Sequence, residues 1–225
     1  MKFIIFMSLV IFMFTKENNA VCQNSELPLR IKSAPVSAYP MVFYITGDAG
    51  WNTFDNKMAN EYVENKIPYV AINSFRYFWS KKNPDQFTKD IVPVLYKYQK
   101  EWNKKEIIMV GYSFGAEIIP FLMNRLPTDL KEKIKLIALI TPSQTSDFTI
   151  HLNDMLTFNG KYDYDVVAEI GKISAPNIFC FFGANETPIF DASHQQMNLK
   201  ICLVKGGHHF SDAKAVMKQI LDELK

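Results

Sequence analysis

The stretch Ile107-Ile108-Met109-Val110-Gly111-Tyr112-Ser113-Phe114-Gly115 carries the strongest structural pattern in the chain. Its first four residues, 107–110, are all apolar and predict a buried β-strand, and the apolar segment at 114–126 predicts a helix. Between them, two glycines flank a serine in the pattern Gly-x-Ser-x-Gly. Because glycine has no side chain to collide with neighbouring backbone, the pattern favours a tight turn that exposes the serine hydroxyl at the strand end.

A serine held between a strand and a helix in this way is typical of the nucleophile elbow of an α/β hydrolase. In this interpretation Ser113 is the nucleophile, and the start of the following helix favours negative charge that develops beside it. A plain turn is the alternative, but it would not require a strand and a helix on its two sides. We therefore predict an α/β-hydrolase fold with Ser113 as the catalytic serine.

Further apolar runs extend the pattern along the chain. They predict strands at 41–45, 69–72, 135–140, 177–182 and 200–204, with helices at 54–63, 83–102 and 211–224. Continuous apolar strands that alternate with helices indicate a mostly parallel sheet with helices on both faces. We predict one domain over residues 27–225, in which residues 144–172 form either an insertion at the end of the sheet where sites usually lie or an ordinary long connection.

A serine hydroxyl is a weak nucleophile and needs a general base. His208 and His209 follow the last predicted strand, which is where this fold class places its base. A preceding glycine favours His208, whereas a following phenylalanine favours His209. We favour His209 and retain both. The alternative that both are loop residues or a metal pair is weaker, because the side chains of adjacent residues diverge.

The acid that orients the base is expected after the preceding strand. Glu186 stands three residues beyond Gly183, at the end of that strand, and is the preferred acid. Asp191 is the second candidate. The alternative for Glu186 is a solvated loop carboxylate.

An oxyanion hole needs two backbone N–H groups that point at the reacting oxygen. The residue after the nucleophile, Phe114, supplies one of them. The other is expected from the glycine-rich turn 46–51, where we assign it to Asp48.

Composition and charge exclude several other classes of protein. The chain has 225 residues, a formal net charge of +2 and 48% hydrophobic residues, as expected of an ordinary globular domain. It has no basic run interleaved with aromatic residues, so no nucleic-acid partner is expected. The sequence implies no metal and no cofactor.

The N-terminus resembles a secretory leader. Lys2 is followed by an apolar run at 3–14 and a polar segment that ends in Ala20. The run is too short to span a membrane, so we predict that residues 1–20 are a signal peptide and that the protein is exported. A buried N-terminal segment is the alternative, and Cys22 leaves a lipoprotein as a minor option.

The three cysteines do not form a disulfide framework. Cys180 and Cys202 lie in predicted strands and are interpreted as buried apolar thiols. Export would permit a disulfide between them.

Several segments together resemble the VirJ/AcvB family of bacterial virulence-associated proteins. They are the turn Gly47-Asp48-Ala49-Gly50-Trp51, the segment Asn73-Ser74-Phe75-Arg76-Tyr77-Phe78-Trp79, the elbow from Gly111 to Pro120 and the segment Gly206-Gly207-His208-His209-Phe210. The resemblance spans residues 27–225 and corresponds to the short form of the family. Ala49, Asn73 and Ser211-Asp212 depart from a glycine, an aspartate and an Asp-Gly of the family pattern, and none of these departures touches the predicted triad.

The resemblance implies a periplasmic hydrolase of aminoacylated phospholipid, of the lysyl-phosphatidylglycerol type. It also implies peripheral contact with the membrane surface and a link to type IV secretion. A general exported carboxylesterase or thioesterase and a periplasmic binding or adaptor protein are the two other functions considered.

Such a lipid carries ammonium groups at one end and a phosphate at the other. Asp48 or Asp55 is therefore expected to pair with an ammonium group. Arg76 follows the next strand and is expected to bind the phosphate through forked hydrogen bonds. The alternatives are that Asp48 only braces its turn and that Arg76 pairs internally with Asp48.

Overall fold

The computed structural model describes residues 27–34, 37–151, 162–175, 177–190 and 199–224. The predicted signal peptide, Cys22 and Asp191 lie outside these residues. The strands that position the site are β1 (Leu29–Lys32), β2 (Met41–Ile45), β3 (Tyr69–Ile72), β4 (Ile107–Tyr112), β5 (Ile134–Ile140), β6 (Thr145–Ser146), β7 (Tyr164–Asp165), β8 (Ile178–Gly183) and β9 (Lys200–Val204). The helices are α1 (Thr53–Glu64), α2 (Ser74–Tyr77), α3 (Pro84–Glu101), α4 (Phe114–Arg125), α5 (Thr128–Lys131), α6 (Val166–Ile170) and α7 (Ala213–Glu223).

Within the described residues, seven strands form one sheet in the order β1-β3-β2-β4-β5-β8-β9. All neighbouring strands pair in parallel except the edge strand β1, which runs antiparallel to β3. Because parallel strands end at one edge, the turns after β2, β3, β4, β5, β8 and β9 are brought together there. The predicted mostly parallel α/β sheet is confirmed.

Alternation along the central strands sends side chains to two separate cores. Phe43 and Ile45 of β2 face one core, which is covered by α3, α4 and α6, whereas Val42 and Tyr44 face the other, which is covered by α1 and α7. Burial on both faces explains why these strands are continuously apolar in sequence. It also fixes the register, because a shift by one residue would exchange the two faces.

Local sequence explains where the helices begin. Asn52 caps α1 by accepting hydrogen bonds from the backbone of Phe54 and Asp55, and the Asp55 carboxylate accepts from the Asn52 N–H in return. This is a capping box, which satisfies two otherwise unpaired donors. Asn83 caps α3, and Pro84 occupies its first turn as predicted.

Cys180 and Cys202 are both free thiols. They lie on adjacent strands, but Cys180 belongs to the core on one face of the sheet and Cys202 to the core on the other. The pairing that export would permit is therefore not formed, and burial raises the pKa of both thiols above the usual value.

The segment between β5 and β8 lies at the carboxyl edge of the sheet. Within it, β6 pairs antiparallel with β7, and α6 packs on α4. Residues 152–161 lie outside the described ranges. The described part of this segment forms one wall of the site below.

Candidate active site

Ser113 adopts the strained backbone conformation expected of a nucleophile elbow. Its φ is 49° and its ψ is −117°, outside the regions that side-chain-bearing residues normally occupy. Its N–H donates to the carbonyl of Ile140 at 2.8 Å, and its carbonyl accepts from the N–H groups of Ala116 and Glu117. Strand β5 and the first turn of α4 thus hold the serine from both sides.

The two glycines of the motif are required by close backbone contacts. A Cβ atom at Gly111 would collide with the backbone of Gly115, and one at Gly115 would collide with the carbonyl of Ile45. Helix α4 therefore packs directly on the ends of β4 and β2. This brings the turn after β2 against Ser113, where the sequence predicts the oxyanion hole.

The predicted oxyanion-hole residues, Asp48 and Phe114, lie beside Ser113. Both line the same cavity as Ser113. A Cβ atom added to Gly47 would lie 3.6 Å from the Cβ of Ser113, which shows how closely the turn approaches the nucleophile. Within the described ranges, the N–H groups of Asp48 and Phe114 donate to no acceptor in the protein, so both can bind a substrate oxygen.

The predicted acid contacts one of the two histidines. Oε1 of Glu186 lies 2.7 Å from Nδ1 of His208, and Oε2 accepts from the N–H of Gly183 at 2.6 Å. A carboxylate on Nδ1 leaves Nε2 to face the substrate, which is how an acid orients a general base. His208 and Ser113 both line the cavity.

Two loops that touch through their backbones create this contact. A Cβ atom at Gly183 would collide with the backbone of Gly207, so the ends of β8 and β9 meet without intervening side chains. The N–H of Asn185 donates to the carbonyl of Gly206 at 2.9 Å. Glu186 and His208 are 22 positions apart in sequence, and this loop contact places them side by side.

His209 has different surroundings. Its Nδ1 lies 3.4 Å from the hydroxyl of Tyr112, its ring is perpendicular to that of His208, and its side chain is exposed. Burial and nearby carboxylates raise the pKa of Tyr112 to about 12, so this hydroxyl is neutral near pH 7. The sequence-based preference for His209 as base does not fit this geometry, because the orienting carboxylate binds His208.

The cavity beside Ser113 has a volume of about 480 Å³. Three carboxylates and no lysine or arginine are found among the described residues that line it: Asp48, Ser113, Phe114, Glu117, Ser143, Thr145, Ser146, Asp147, Thr149, His151, Tyr162, His208 and His209. The segment after β5 contributes much of this lining. The cavity therefore favours a ligand with positive charge.

Glu117 is a site residue that the sequence analysis missed. Its side chain is buried, accepts a hydrogen bond from the hydroxyl of Ser146 at 2.7 Å, and has a pKa that burial raises. It lies four residues after Ser113 on α4, and that spacing puts the two residues on one face of the helix. This spacing is the sequence feature that could have identified it.

Asp147 is the third carboxylate of the cavity. His151 lies 3.1 Å from it through Nε2, and Lys81 lies 3.7 Å from it through Nζ. The ring of Tyr162 stacks on His151 with centroids 5.0 Å apart. These contacts fix the outer wall of the cavity.

Arg76 lies in a different cavity from Ser113. The structure places it after β3, as predicted, but it lines a second cavity of about 700 Å³. In the described part of the chain, no ion pair joins Arg76 to Asp48, so the predicted alternative of an internal pair is wrong.

Asp55 does not reach the cavity, and its predicted role in substrate binding is wrong. Its side chain is buried and accepts from the hydroxyl of Tyr44 at 2.7 Å and from the N–H of Asn52 at 3.0 Å. The capping box turns the carboxylate into the core behind the turn. Burial raises the pKa of Asp55 to about 6.

The stability of the fold should therefore depend on the ionisation of Asp55. The folded chain binds this proton more tightly than the unfolded chain, so stability present below about pH 4 is lost as the pH rises through about 6. In the wild type the free energy of unfolding should fall by on the order of 2–3 kcal/mol over this pH range, and Asp55→Asn should abolish that fall. Urea unfolding of both proteins between pH 4 and 7 measures it, and parallel curves would contradict the prediction. Ester hydrolysis by the variant should stay within about threefold of wild type.

Neither a metal site nor a membrane-spanning helix is found in the described part of the chain. Among the described residues, no group of three or more His, Cys, Asp or Glu side chains is arranged to bind a metal ion. Each helix of the described part is too short or too polar to span a lipid bilayer.

The sheet order, the strained serine turn and the loops that meet above it define the class of protein as an α/β-hydrolase fold. More specifically, the chain belongs to the VirJ family: the family described as bacterial virulence protein (VirJ) matches residues 40–225. The resemblance predicted from the sequence is confirmed. No curated protein matches the chain significantly.

Solved structures agree with the fold class. The chain is similar to the esterase Est1E from Butyrivibrio proteoclasticus with bound ferulic acid, at 14% identity and a TM-score of 0.60, covering 88% of this chain and 95% of that one. It is also similar to MenH from S. aureus, at 14% identity and a TM-score of 0.60, covering 87% and 97%. The type II thioesterase BorB from the borrelidin cluster is 13% identical with a TM-score of 0.60, covering 88% and 97%. At these identities the similarity establishes the fold alone.

Proposed function

We propose that the protein is a serine hydrolase that cleaves an ester through Ser113, His208 and Glu186. One observation carries the proposal: the strained, half-buried serine lines a cavity together with a histidine whose Nδ1 lies 2.7 Å from a partly buried carboxylate. A protein that only binds a ligand would not need a nucleophile, an acid and a base in the sequence order typical of a hydrolase. The role of each of these three residues is inferred from its contacts.

The reaction proceeds in two acyl-transfer steps. His208 Nε2 takes the proton of Ser113 as its oxygen attacks the ester carbonyl, and the N–H groups of Asp48 and Phe114 bind the resulting oxyanion. His208 then gives the proton to the departing alcohol oxygen, which leaves an acyl-serine. Water, deprotonated by His208, hydrolyses that ester and frees the serine. Glu186 stabilises the imidazolium in both steps.

The charge of the cavity supports an aminoacyl ester as substrate. Asp48, Glu117 and Asp147 line it, and its described lining residues include no lysine or arginine, although Lys81 approaches Asp147 to 3.7 Å from outside the lining. An acyl group that carries an ammonium ion would be attracted there, whereas a fatty acyl chain would gain nothing from the carboxylates. Together with membership of the VirJ family, this supports an aminoacyl-phospholipid of the lysyl-phosphatidylglycerol type as substrate, met by an exported protein in the periplasm.

Two measurements test the proposal. A fluorophosphonate probe should label Ser113 in the purified protein, and absence of labelling would reject the serine mechanism. The hydrolysis of lysyl-phosphatidylglycerol should then exceed that of a neutral ester of similar size. Equal rates would instead indicate a general carboxylesterase or thioesterase, and labelling without turnover of either ester would favour a binding or adaptor role.

Glu117 should determine the preference for a cationic acyl group. Glu117→Gln keeps the shape and the hydrogen bond of Ser146 but removes the negative charge. We expect kcat/KM for the lysyl ester to fall about tenfold, while that for the neutral ester changes less than about threefold. The preference of the wild type should also weaken at acid pH, because burial raises the pKa of Glu117 and its protonation removes the charge.

Glu132→Gln is the matched control. This glutamate is exposed at the end of α5 and does not line the cavity. The substitution Glu132→Gln should leave the hydrolysis rates of the lysyl ester and the neutral ester unchanged. If the two glutamine variants behave alike, or if Glu117→Gln lowers the hydrolysis rates of both esters equally, Glu117 does not determine the preference for a cationic substrate.

A further inference from the structure

The second cavity collects positive charge at the edge of the sheet beside the catalytic cavity. It lies where β1, β3 and the turn after β2 meet, and its lining includes Arg30, Arg76 and Lys82. Asp90 is its one acidic residue among the described lining, and the hydroxyl of Tyr77 donates to it at 2.6 Å. Three cations against one carboxylate favour an anionic ligand.

The three cations keep donors available for such a ligand. In the described part of the chain, none of Arg30, Arg76 and Lys82 forms an ion pair. The guanidinium of Arg30 stacks 4.4 Å above the ring of Trp51 and donates one hydrogen bond to Asn56. These contacts position Arg30 without neutralising it. A guanidinium held in this way suits the oxygens of a phosphate.

An exposed tryptophan lies on the same segment as two of the cations. Trp79 follows α2, is 60% exposed, and packs against Phe75 with ring centroids 5.2 Å apart and the rings tilted by 54°. An indole beside lysine and arginine at a surface is the combination that settles at the boundary between lipid headgroups and acyl chains. A soluble ligand would not require the exposed ring.

This segment is joined to the wall of the catalytic cavity. The N–H of Lys82 donates to the carbonyl of Phe148 at 2.7 Å, and the N–H of Ile150 donates to the carbonyl of Phe78 at 3.0 Å. Lys81 also lies 3.7 Å from Asp147, which lines the catalytic cavity. A surface bound to the segment at 78–82 is therefore held close to Ser113.

We propose that Arg30, Arg76, Trp79 and Lys82 form a docking face for an anionic phospholipid bilayer, with a headgroup phosphate in the second cavity. The inference rests on the proposed function in that a docked bilayer would present its lipid esters to Ser113. Beyond the proposed function, it identifies the positively charged surface that would bind headgroup phosphates and so bring the enzyme to these esters. The carboxylates of one cavity and the cations of the other match the two ends of an aminoacyl-phospholipid.

Vesicle binding by the Ser113→Ala variant tests the docking face without turnover. Vesicles of equal parts phosphatidylcholine and phosphatidylglycerol are compared with vesicles of phosphatidylcholine alone. We expect binding to the anionic vesicles only. The added changes Arg30→Ala and Arg76→Ala should weaken it roughly 10- to 30-fold, since each cation near an anionic surface contributes about fivefold. Trp79→Ala should weaken it about fivefold or more.

The control removes two other cations, through Lys100→Ala and Lys105→Ala. Both are exposed near the end of α3 and just before β4, at the amino ends of the parallel strands and away from the turns that follow their carboxyl ends. This pair should change binding less than about threefold. Equal losses from the two pairs would overturn the docking face in favour of diffuse charge attraction. Binding of inorganic phosphate without binding of vesicles would also overturn it and assign the cavity to a soluble phosphate.

Failure of this inference is distinguishable from failure of the proposed function. Absence of vesicle binding with intact ester hydrolysis rejects only the docking face. Vesicle binding with the expected mutational pattern supports the docking face even if the lysyl ester is not a substrate.

Discussion

Ser113→Ala should lower kcat/KM for ester hydrolysis by at least about a thousandfold. The nucleophile is lost, and the oxyanion hole and binding groups alone supply only a small part of the rate enhancement. Labelling by a fluorophosphonate should disappear with it. Steady-state kinetics on a purified ester and gel detection of the label measure both effects.

The fold should survive this change. Alanine keeps the Cβ atom and the strained backbone of Ser113, and the removed hydroxyl faces the cavity. The free energy of unfolding should change by no more than about 1 kcal/mol. Ser143→Ala is the matched control, because it removes a hydroxyl from the same cavity and should cost less than about tenfold in rate. Activity of Ser113→Ala near that of Ser143→Ala would reject the mechanism.

Most of the fold was predictable because the signals are local. The strands at 41–45, 69–72 and 200–204 match β2, β3 and β9. The runs of β2 and β3 are apolar because both faces are buried, whereas the apolar run of the edge strand β9 leaves Ile201 and Leu203 exposed. The position of Ser113 followed from its glycines. The edge strand β1 was not predicted, because its residues beyond Leu29 are exposed and lack an apolar pattern.

The candidate site was less predictable, because its contacts depend on tertiary structure. Asp55 lies only seven positions beyond Asp48 in sequence, yet the capping box of α1 turns it into the core. Arg76 lies at the predicted edge of the sheet. However, the order β3-β2-β4 puts the turn after β2 between it and Ser113. Neither outcome follows from the spacing of residues in the sequence.

The choice between His208 and His209 illustrates the same limit. Both residues follow Gly206-Gly207, and the sequence does not reveal which ring faces Glu186. The backbone decides: Gly206 has a φ of 126°, and Gly207 packs directly on Gly183. This arrangement aims Nδ1 of His208 at the carboxylate and places His209 beside Tyr112.

Substituting the two histidines one at a time should therefore give very unequal losses. His208→Ala removes the group that accepts the serine proton, and kcat should fall about a thousandfold or more. His209→Ala removes an exposed ring at the cavity wall, and we expect a loss below about tenfold. Glu186→Gln should cost on the order of a hundredfold or more, because a neutral amide stabilises the imidazolium less and does not hold the same tautomer.

The pattern across these variants decides the assignment more firmly than any one rate. If His208 is the base, combining His208→Ala with Glu186→Gln should cost little more than His208→Ala alone, because Glu186 acts through that ring. Combining His209→Ala with Glu186→Gln should instead multiply the two separate losses. The reverse pattern would transfer the role of base to His209 and require Glu186 to turn toward it on substrate binding. If the separate losses multiply in both double variants, Glu186 acts through neither histidine, and the proposed triad lacks its acid.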